Sequence, residues 1–412
     1  MGQGRARHRV DRGVGIAATV IMARPITCIE DLRALARKRV PKVFFEYADG
    51  GSWTETTLRS NRADLEAITF WPRVVRDLRS RSLATVLAGQ PATMPVAIAP
   101  TGSAGMQHAD GEILAAQAAE AAGIPYTLSA VSTCSIEDVA KHTRSPFWFQ
   151  VHFMQDRGFV DRLIDRAAAV ACSALVVTLD IQLHAQRNAD IRNNRTATMF
   201  TLARLPQFIT RPGWCIGMLG TPRRNFGNIV GHVEGISDDV GEVAHWAADQ
   251  LSPCISWDDL RRIRDRWKGR MIVKGVTHPE DARSAVSAGA DALVVSNHGG
   301  RQLDGALSTI RALPHVVAAV GPDVEVLMDG GIRSGQDVLR ALARGAKGVL
   351  IGRAHLYGLG AGGRQGVEKC LAIIRKELDL TMAMCGVSDV REVSAAILAP
   401  QTESRGADAR NL

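Results

Sequence analysis

The chain has 412 residues, 46% of them hydrophobic, and 39 glycines, which suits one large turn-rich α/β domain and excludes a disordered or fibrous chain. A net charge of +8 admits nucleic acid, anionic lipid or an anionic substrate as partner, but aromatic residues make up only 5% and the arginines are widely spread. That argues against base-stacking platforms, so no nucleic acid is expected. No apolar run approaches the ~20 residues that span a bilayer. The seven cysteines are scattered and form no CxxC pair, so neither a metal site nor a disulfide framework is expected and a reducing, cytoplasmic setting is.

Arg5, Arg7, Arg9 and Arg12 precede a short apolar stretch at 14–23 that imitates a signal peptide until Arg24-Pro25 interrupts it. Residues 1–24 are expected to be a disordered extension, with Met22 the better start. A helix follows at 29–39, capped by Thr27 or Cys28. Eight short β-branched runs come next, at 95–102, 126–129, 147–152, 174–180, 271–276, 292–298, 325–331 and 348–353. Continuous apolar runs of this kind suit parallel strands buried on both faces. Alanine-rich helical patterns at 111–122, 159–170, 279–288 and 336–344 separate many of them.

This alternation predicts a (β/α)₈ barrel over 25–398, with an N-terminal helical segment and a tail at 399–412. Residues 181–270, after the fourth strand, carry few strong periodicities and several prolines and glycines. They are expected to form a long insertion or lid. Within it Trp214, Ile216, Met218 and Leu219 beside Arg223 and Arg224 suit shallow contact with a membrane surface, an exposed loop or an oligomer contact equally well.

Barrel chemistry gathers at the C-terminal strand ends. Those ends carry Thr101, Ser129, Gln150, His152, Thr178, Asp180, Lys274, Ser296, His298, Asp329 and Arg353, with Arg187, Arg301 and Arg333 just beyond. One lysine and a group of arginines among hydroxyls and amides point to an anionic substrate beside a polar cofactor. Two glycine turns, Asp329-Gly330-Gly331-Ile332-Arg333 and Gly352-Arg353, follow the last two strands, where barrels commonly bind phosphate. Gly358-Leu359-Gly360-Ala361-Gly362-Gly363 matches GxGxxG but follows no strand directly, so it is set aside as a dinucleotide site.

Ser296-Asn297-His298-Gly299-Gly300-Arg301-Gln302-Leu303-Asp304 resembles the active-site signature of the FMN-dependent 2-hydroxy acid oxidase and dehydrogenase family. Matching motifs run in order from about Ile26 to about Leu398. Asp49-Gly50-Gly51 and Asp190-Ile191-Arg192-Asn193 look most like the bacterial L-lactate dehydrogenase branch.

The resemblance implies FMN as cofactor, held by Pro100, Thr101, Gly102, Ser129, Gln150 and Thr178 around the ring, with Lys274 near its N1 edge and Ser296 in contact. It places Asp329, Gly331, Arg333, Gly352 and Arg353 around the ribityl phosphate. Tyr47, Arg187 and Arg301 would bind a small 2-hydroxy carboxylate, and His298 would be the base, oriented by Asp180. A guanidinium fork clamps a carboxylate, a histidine accepts a proton near neutrality, and a buried aspartate favours the resulting imidazolium.

The resemblance further implies a homo-oligomer, a tetramer in the family, and a quinone or cytochrome acceptor with peripheral contact at the inner face of the cell membrane. An oxidase using oxygen, a flavin-binding barrel with impaired catalysis and a phosphate-sugar isomerase are the competing readings. Two departures from the pattern stand out. His152 occupies a substrate-pocket position where the family usually has tyrosine, and Ala185 replaces a glycine. Both are expected to shift substrate preference or slow turnover.

Overall fold

The computed structural model describes residues 25–193 and 205–400. The expectations for residues 1–24 and for the tail from 401 onward lie outside them. All eight expected runs are strands: β3 (Val96–Ile98), β4 (Thr127–Ser129), β5 (Trp148–His152), β6 (Ala174–Thr178), β7 (Arg270–Val276), β8 (Ala292–Val295), β9 (Glu325–Met328) and β10 (Gly348–Ile351). Each pairs in parallel with its neighbour, and β10 returns to β3 through Val349 opposite Val96. A parallel bridge between Ile98 and Tyr126 joins β3 to the start of β4 and closes the cylinder. The architecture is the (β/α)₈ barrel.

Alternation along the strands sorts the side chains. Ala97, Trp148, Val176, Ile272, Val294, Leu327 and Leu350 belong to an inner apolar cluster, whereas their neighbours Val96, Phe149, Val177, Val273, Val295, Met328 and Val349 pack outward under the helices. Extending the inner set toward the C-terminal ends brings Gln150, His152, Thr178, Lys274, Ser296 and Asp329 to the top of the cylinder. Strand register therefore turns an apolar interior into a polar mouth.

The bottom is closed by a hairpin that the periodicities do not signal, β1 (Thr85–Leu87) and β2 (Gln90–Ala92), because each strand has only three residues. Leu87 and Ala92 join the inner cluster. Gln90 Oε1 accepts hydrogen bonds from Trp148 Nε1 (3.1 Å) and Ser173 Oγ (3.0 Å), so the hairpin is tied to the strands it covers.

Helices form at Ile29–Arg39, Gly111–Ala122, Arg157–Ala169, Pro279–Ser287 and Gly335–Ala343, close to their expected spans. The first is capped at Cys28, where Asp31 Oδ2 accepts from the Thr27 and Cys28 amides. The segment after β6 holds more helix than its sequence pattern suggests: Leu205–Ile209, Pro212–Gly220, Val240–Asp249 and Trp257–Arg266. The last of these is the ordinary crossover to β7, and Arg270 already belongs to that strand, so the excursion from the barrel ends before Trp257. The GxGxxG match ends at the kink of the helical segment Arg353–Met384, where Gly362 and Gly363 leave helical backbone; a Cβ on Gly360 would meet Val40 at 2.7 Å and one on Gly358 would meet the Gly366 carbonyl at 2.5 Å. Those glycines permit close helix packing.

Trp214 and Met218 do not face outward. The Trp214 ring stacks on Phe44 with centroids 5.3 Å apart, its Nε1 donates to the Met106 carbonyl (3.0 Å), and Met218 is buried. Arg223 pairs with Asp138 and Asp110. Of the apolar residues in the expected surface set Ile216 and Leu219 are exposed, with Arg224 exposed beyond them.

Candidate active site

The turn after β8 carries the centre of the site. His298, Gly299 and Gly300 have φ of 55°, 63° and 75°, three left-handed residues in succession. For histidine that conformation is strained and must be held by its surroundings. The surroundings are visible. Asn297 and Asn61 exchange reciprocal amide hydrogen bonds of 2.9 Å, and the Gly300 amide donates to Asn297 Oδ1. A Cβ on Gly300 would lie 2.5 Å from the Leu58 backbone nitrogen. The signature thus divides its labour, since Asn297 and Gly300 dock the turn on the helix Thr56–Glu66. Asp304 accepts from the Thr54 and Thr57 amides, and Gln302 Nε2 donates to the Asp180 and Leu183 carbonyls.

The turn aims His298 at Asp180, whose Oδ1 lies 3.1 Å from His298 Nδ1. Gly275, at φ 100°, allows that approach, because a Cβ there would sit 2.7 Å from the Asp180 side chain. Burial lowers the His298 pKa more than Asp180 raises it, so the resting imidazole is neutral. For Asp180, burial acts upward, but His298 and Lys274 outweigh it and the carboxyl stays ionised. Asp180 Oδ2 has no hydrogen-bond partner among the described residues. A neutral base backed by a fixed negative charge is arranged to accept a proton at Nε2.

Beside it stands a cluster of cations. The guanidinium of Arg301 lies 4.7 Å, and that of Arg187 5.8 Å, from the centroid of the Tyr47 ring. Arg301 Nη1 donates to the Tyr47 and Gly50 carbonyls. Burial and the like charge of Arg187 push Arg301 down to about 9, which leaves it protonated near neutrality. An arriving carboxylate relieves both costs.

Lys274 is buried at the end of β7, with Nζ 2.9 Å from Asp329 Oδ2 and 2.8 Å from Ser296 Oγ. Burial alone would lower its pKa, but Asp329 and Asp180 raise it above the ordinary value, so a positive charge is held in the barrel mouth.

One cavity of about 270 Å³ connects these groups. Its wall includes Tyr47, His152, Arg187, His298 and Arg301, then Pro100, Thr101 and Gly102 after β3, and Ser129, Gln150 and Thr178 from β4–β6. Lys274, Asp329, Gly331, Arg333, Gly352 and Arg353 complete the expected set. Asp180 and Ser296 stand behind the wall, in contact with His298 and Lys274. His184, read from sequence as structural or surface, lines the cavity, as do Phe226 and the helix Val240–Asp249. No strand-end pattern marks those residues, because they reach the mouth from the excursion after β6.

The comparisons with known proteins agree with this geometry. A profile described as FMN-dependent dehydrogenase matches residues 36–400. The chain belongs to the FMN-dependent dehydrogenase family. L-lactate dehydrogenases of Caulobacter sp. (strain K31) and Xanthomonas campestris pv. campestris (strain B100) are 44% and 45% identical to it, covering 91% and 92% of this chain and 98% of each relative. A crystal structure of the monotopic membrane protein (S)-mandelate dehydrogenase superposes with a TM-score of 0.87 at 33% identity, over 91% of this chain and 99% of that one. Mandelate oxidase follows with a TM-score of 0.76 at 35% identity, over 91% and 98%.

Membership brings FMN, and the cavity fits it. Gln150 Nε2, Thr178 Oγ1 and Asp329 Oδ1 belong to residues that line the cavity and are buried without hydrogen-bond partners among the described residues. A polar ring system supplies what they lack, since buried polar groups left unpaired are costly. At the other end Gly330 and Gly331 adopt φ of 94° and 85°, and Gly352 caps the helix Arg353–Met384, whose first-turn amides have no partner within the helix. Backbone amides here form an anion cradle. The guanidinium of Arg353 is turned away to the Asp49, Gly50 and Gly299 carbonyls, and among the described residues the Arg333 side chain flanks this end.

Proposed function

We propose that the chain oxidises an L-2-hydroxy acid to the 2-oxo acid, with L-lactate among its substrates, and passes the electrons to a quinone or cytochrome. The observation that carries this reading is the Asp180–His298 pair facing the same cavity as the Arg187–Tyr47–Arg301 cluster. The arginines hold the substrate carboxylate, which fixes the α-carbon and its hydroxyl beside the imidazole. His298 Nε2 takes the proton, and Asp180 stabilises the imidazolium that results. FMN, when bound through Pro100, Thr101, Gly102, Ser129, Gln150 and Thr178, supplies the two-electron acceptor. Lys274 contributes a fixed positive charge where negative charge develops, and Ser296 orients its ammonium. Gly331, Arg333 and Gly352 hold the phosphate end, with Asp329 paired to Lys274 on the ribityl side and Arg353 bracing the loops around it.

Anaerobic addition of L-lactate to the yellow holoenzyme tests the reading: the flavin bleaches. Colour that persists with lactate and with every other L-2-hydroxy acid refutes it. Reoxidation by a quinone analogue faster than by oxygen separates a dehydrogenase from an oxidase. A homotetramer and peripheral attachment to the inner face of the cell membrane belong to the same reading. Among the described residues no helix is long and apolar enough to cross a membrane. Ile209, Ile216 and Leu219 are exposed together in the excursion, which supports surface contact. Flotation with anionic vesicles checks the attachment.

A further inference from the structure

One wall of the cavity is not explained by flavin or carboxylate chemistry. Ala244, Ala247, Ala248 and Leu251 line it, at and just beyond the helix Val240–Asp249. Their spacing puts them on one helical face. The adjoining face anchors the helix, because Val243 is buried and Trp246 meets Phe159 edge-on with centroids 5.3 Å apart. The large residues therefore hold the helix in place and turn methyl-sized ones toward the cavity. Met154 and Phe226 extend the same apolar lining.

A second observation points to a ligand here. His152, at the end of β5, lines this cavity, is only 8% exposed, and leaves Nδ1 buried without a partner among the described residues. Burial, then the proximity of His298, push its pKa down to about 3, so the ring is uncharged. It shares the cavity with the alanine wall and sets no charge in it. The resemblance puts tyrosine at this position, so His152 distinguishes this cavity from the family pattern.

We propose that this wall, which shares its cavity with His152, is a side-chain subsite that selects L-2-hydroxy acids carrying an apolar side chain of four or more carbons over L-lactate. The inference rests on reading the site as one that oxidises 2-hydroxy acids. A methyl group leaves the alanine face unfilled, whereas a butyl group brings three further methylenes to it. Each methylene buried is worth ~0.8 kcal/mol, about fourfold in kcat/KM when it is buried in the transition state.

The test compares L-lactate with L-2-hydroxyhexanoate on the holoenzyme by anaerobic flavin reduction. The expected result is a kcat/KM at least tenfold higher for the hexanoate, and a hexanoate-to-lactate ratio that falls at least tenfold in Ala247→Leu. A wild-type enzyme that reduces equally well or better with lactate overturns the proposal, and needs no variant to do so. A ratio unmoved by Ala247→Leu, in protein that keeps its flavin, overturns the assignment to this wall. If neither acid reduces the flavin, the reading of the site falls and takes this inference with it.

Discussion

Replacing Asp180 with asparagine isolates the charge behind the base. The amide is nearly isosteric, and its oxygen can still accept from His298 Nδ1 at the 3.1 Å seen here, so the ring keeps its aim. What is lost is the attraction between carboxylate and imidazolium. For unit charges about 4 Å apart at an effective dielectric near 20, that attraction is about 4 kcal/mol. Allowing for relaxation, roughly 3–4 kcal/mol corresponds to a 10²–10³-fold fall in the rate of flavin reduction. Asp180 does not line the cavity, so substrate affinity should change little. The sign of the pH effect follows from the same charge. Asp180 is the group that most favours protonated His298, so its neutralisation moves the acid limb of kcat/KM to lower pH. The assay is single-turnover anaerobic reduction across pH, fitted for rate and affinity separately. A rate within threefold of wild type, or a loss confined to affinity, would refute the assignment of Asp180.

Other outcomes follow from the same contacts. Lys274→Met removes the buried ammonium and should shift the flavin potential to more negative values; an unmoved potential in dye-equilibrated titration denies it that role. Gly300→Ala sets a Cβ against the Leu58 backbone at φ 75°, and combined strain and overpacking of roughly 2–5 kcal/mol should lower the melting temperature by several degrees. Asn61→Ala breaks the amide pair beneath His298 and should lower both thermal stability and turnover, whereas a purely structural strut would spare turnover once folded. His355 is buried and its pKa is pushed down to about 4, so the unfolded chain takes up its proton first as pH falls. Stability should therefore decline from pH 6.5 toward 4, and His355→Asn should flatten that decline in a melting series.

The recognisable part of the sequence and the working part of the site overlap incompletely. The eight apolar runs and the strand-end residues are legible because parallel strands buried on both faces need continuous apolar stretches, and a barrel directs their ends to one mouth. The nonapeptide from Ser296 to Asp304 carries the family likeness, yet among its residues His298, Gly299 and Arg301 line the cavity and Ser296 reaches it through Lys274. Asn297, Gln302 and Asp304 dock loops, which no local pattern distinguishes from catalysis. Trp214 and Met218 had the composition of a surface patch, but an amphipathic cluster does not reveal which of its faces meets a neighbouring element.

By itself the sequence determined where the strands lie, the glycine turns that follow them, and the residue types that converge at the strand ends, all consequences of short-range geometry. Tertiary structure decided what lay between distant segments. It sent the Arg353 guanidinium to three carbonyls, placed Asn61 beneath the His298 turn, and brought His184, Phe226 and an alanine face over the mouth. Those placements depend on how non-neighbouring elements pack, and packing is settled by the whole core rather than by any local run of residues.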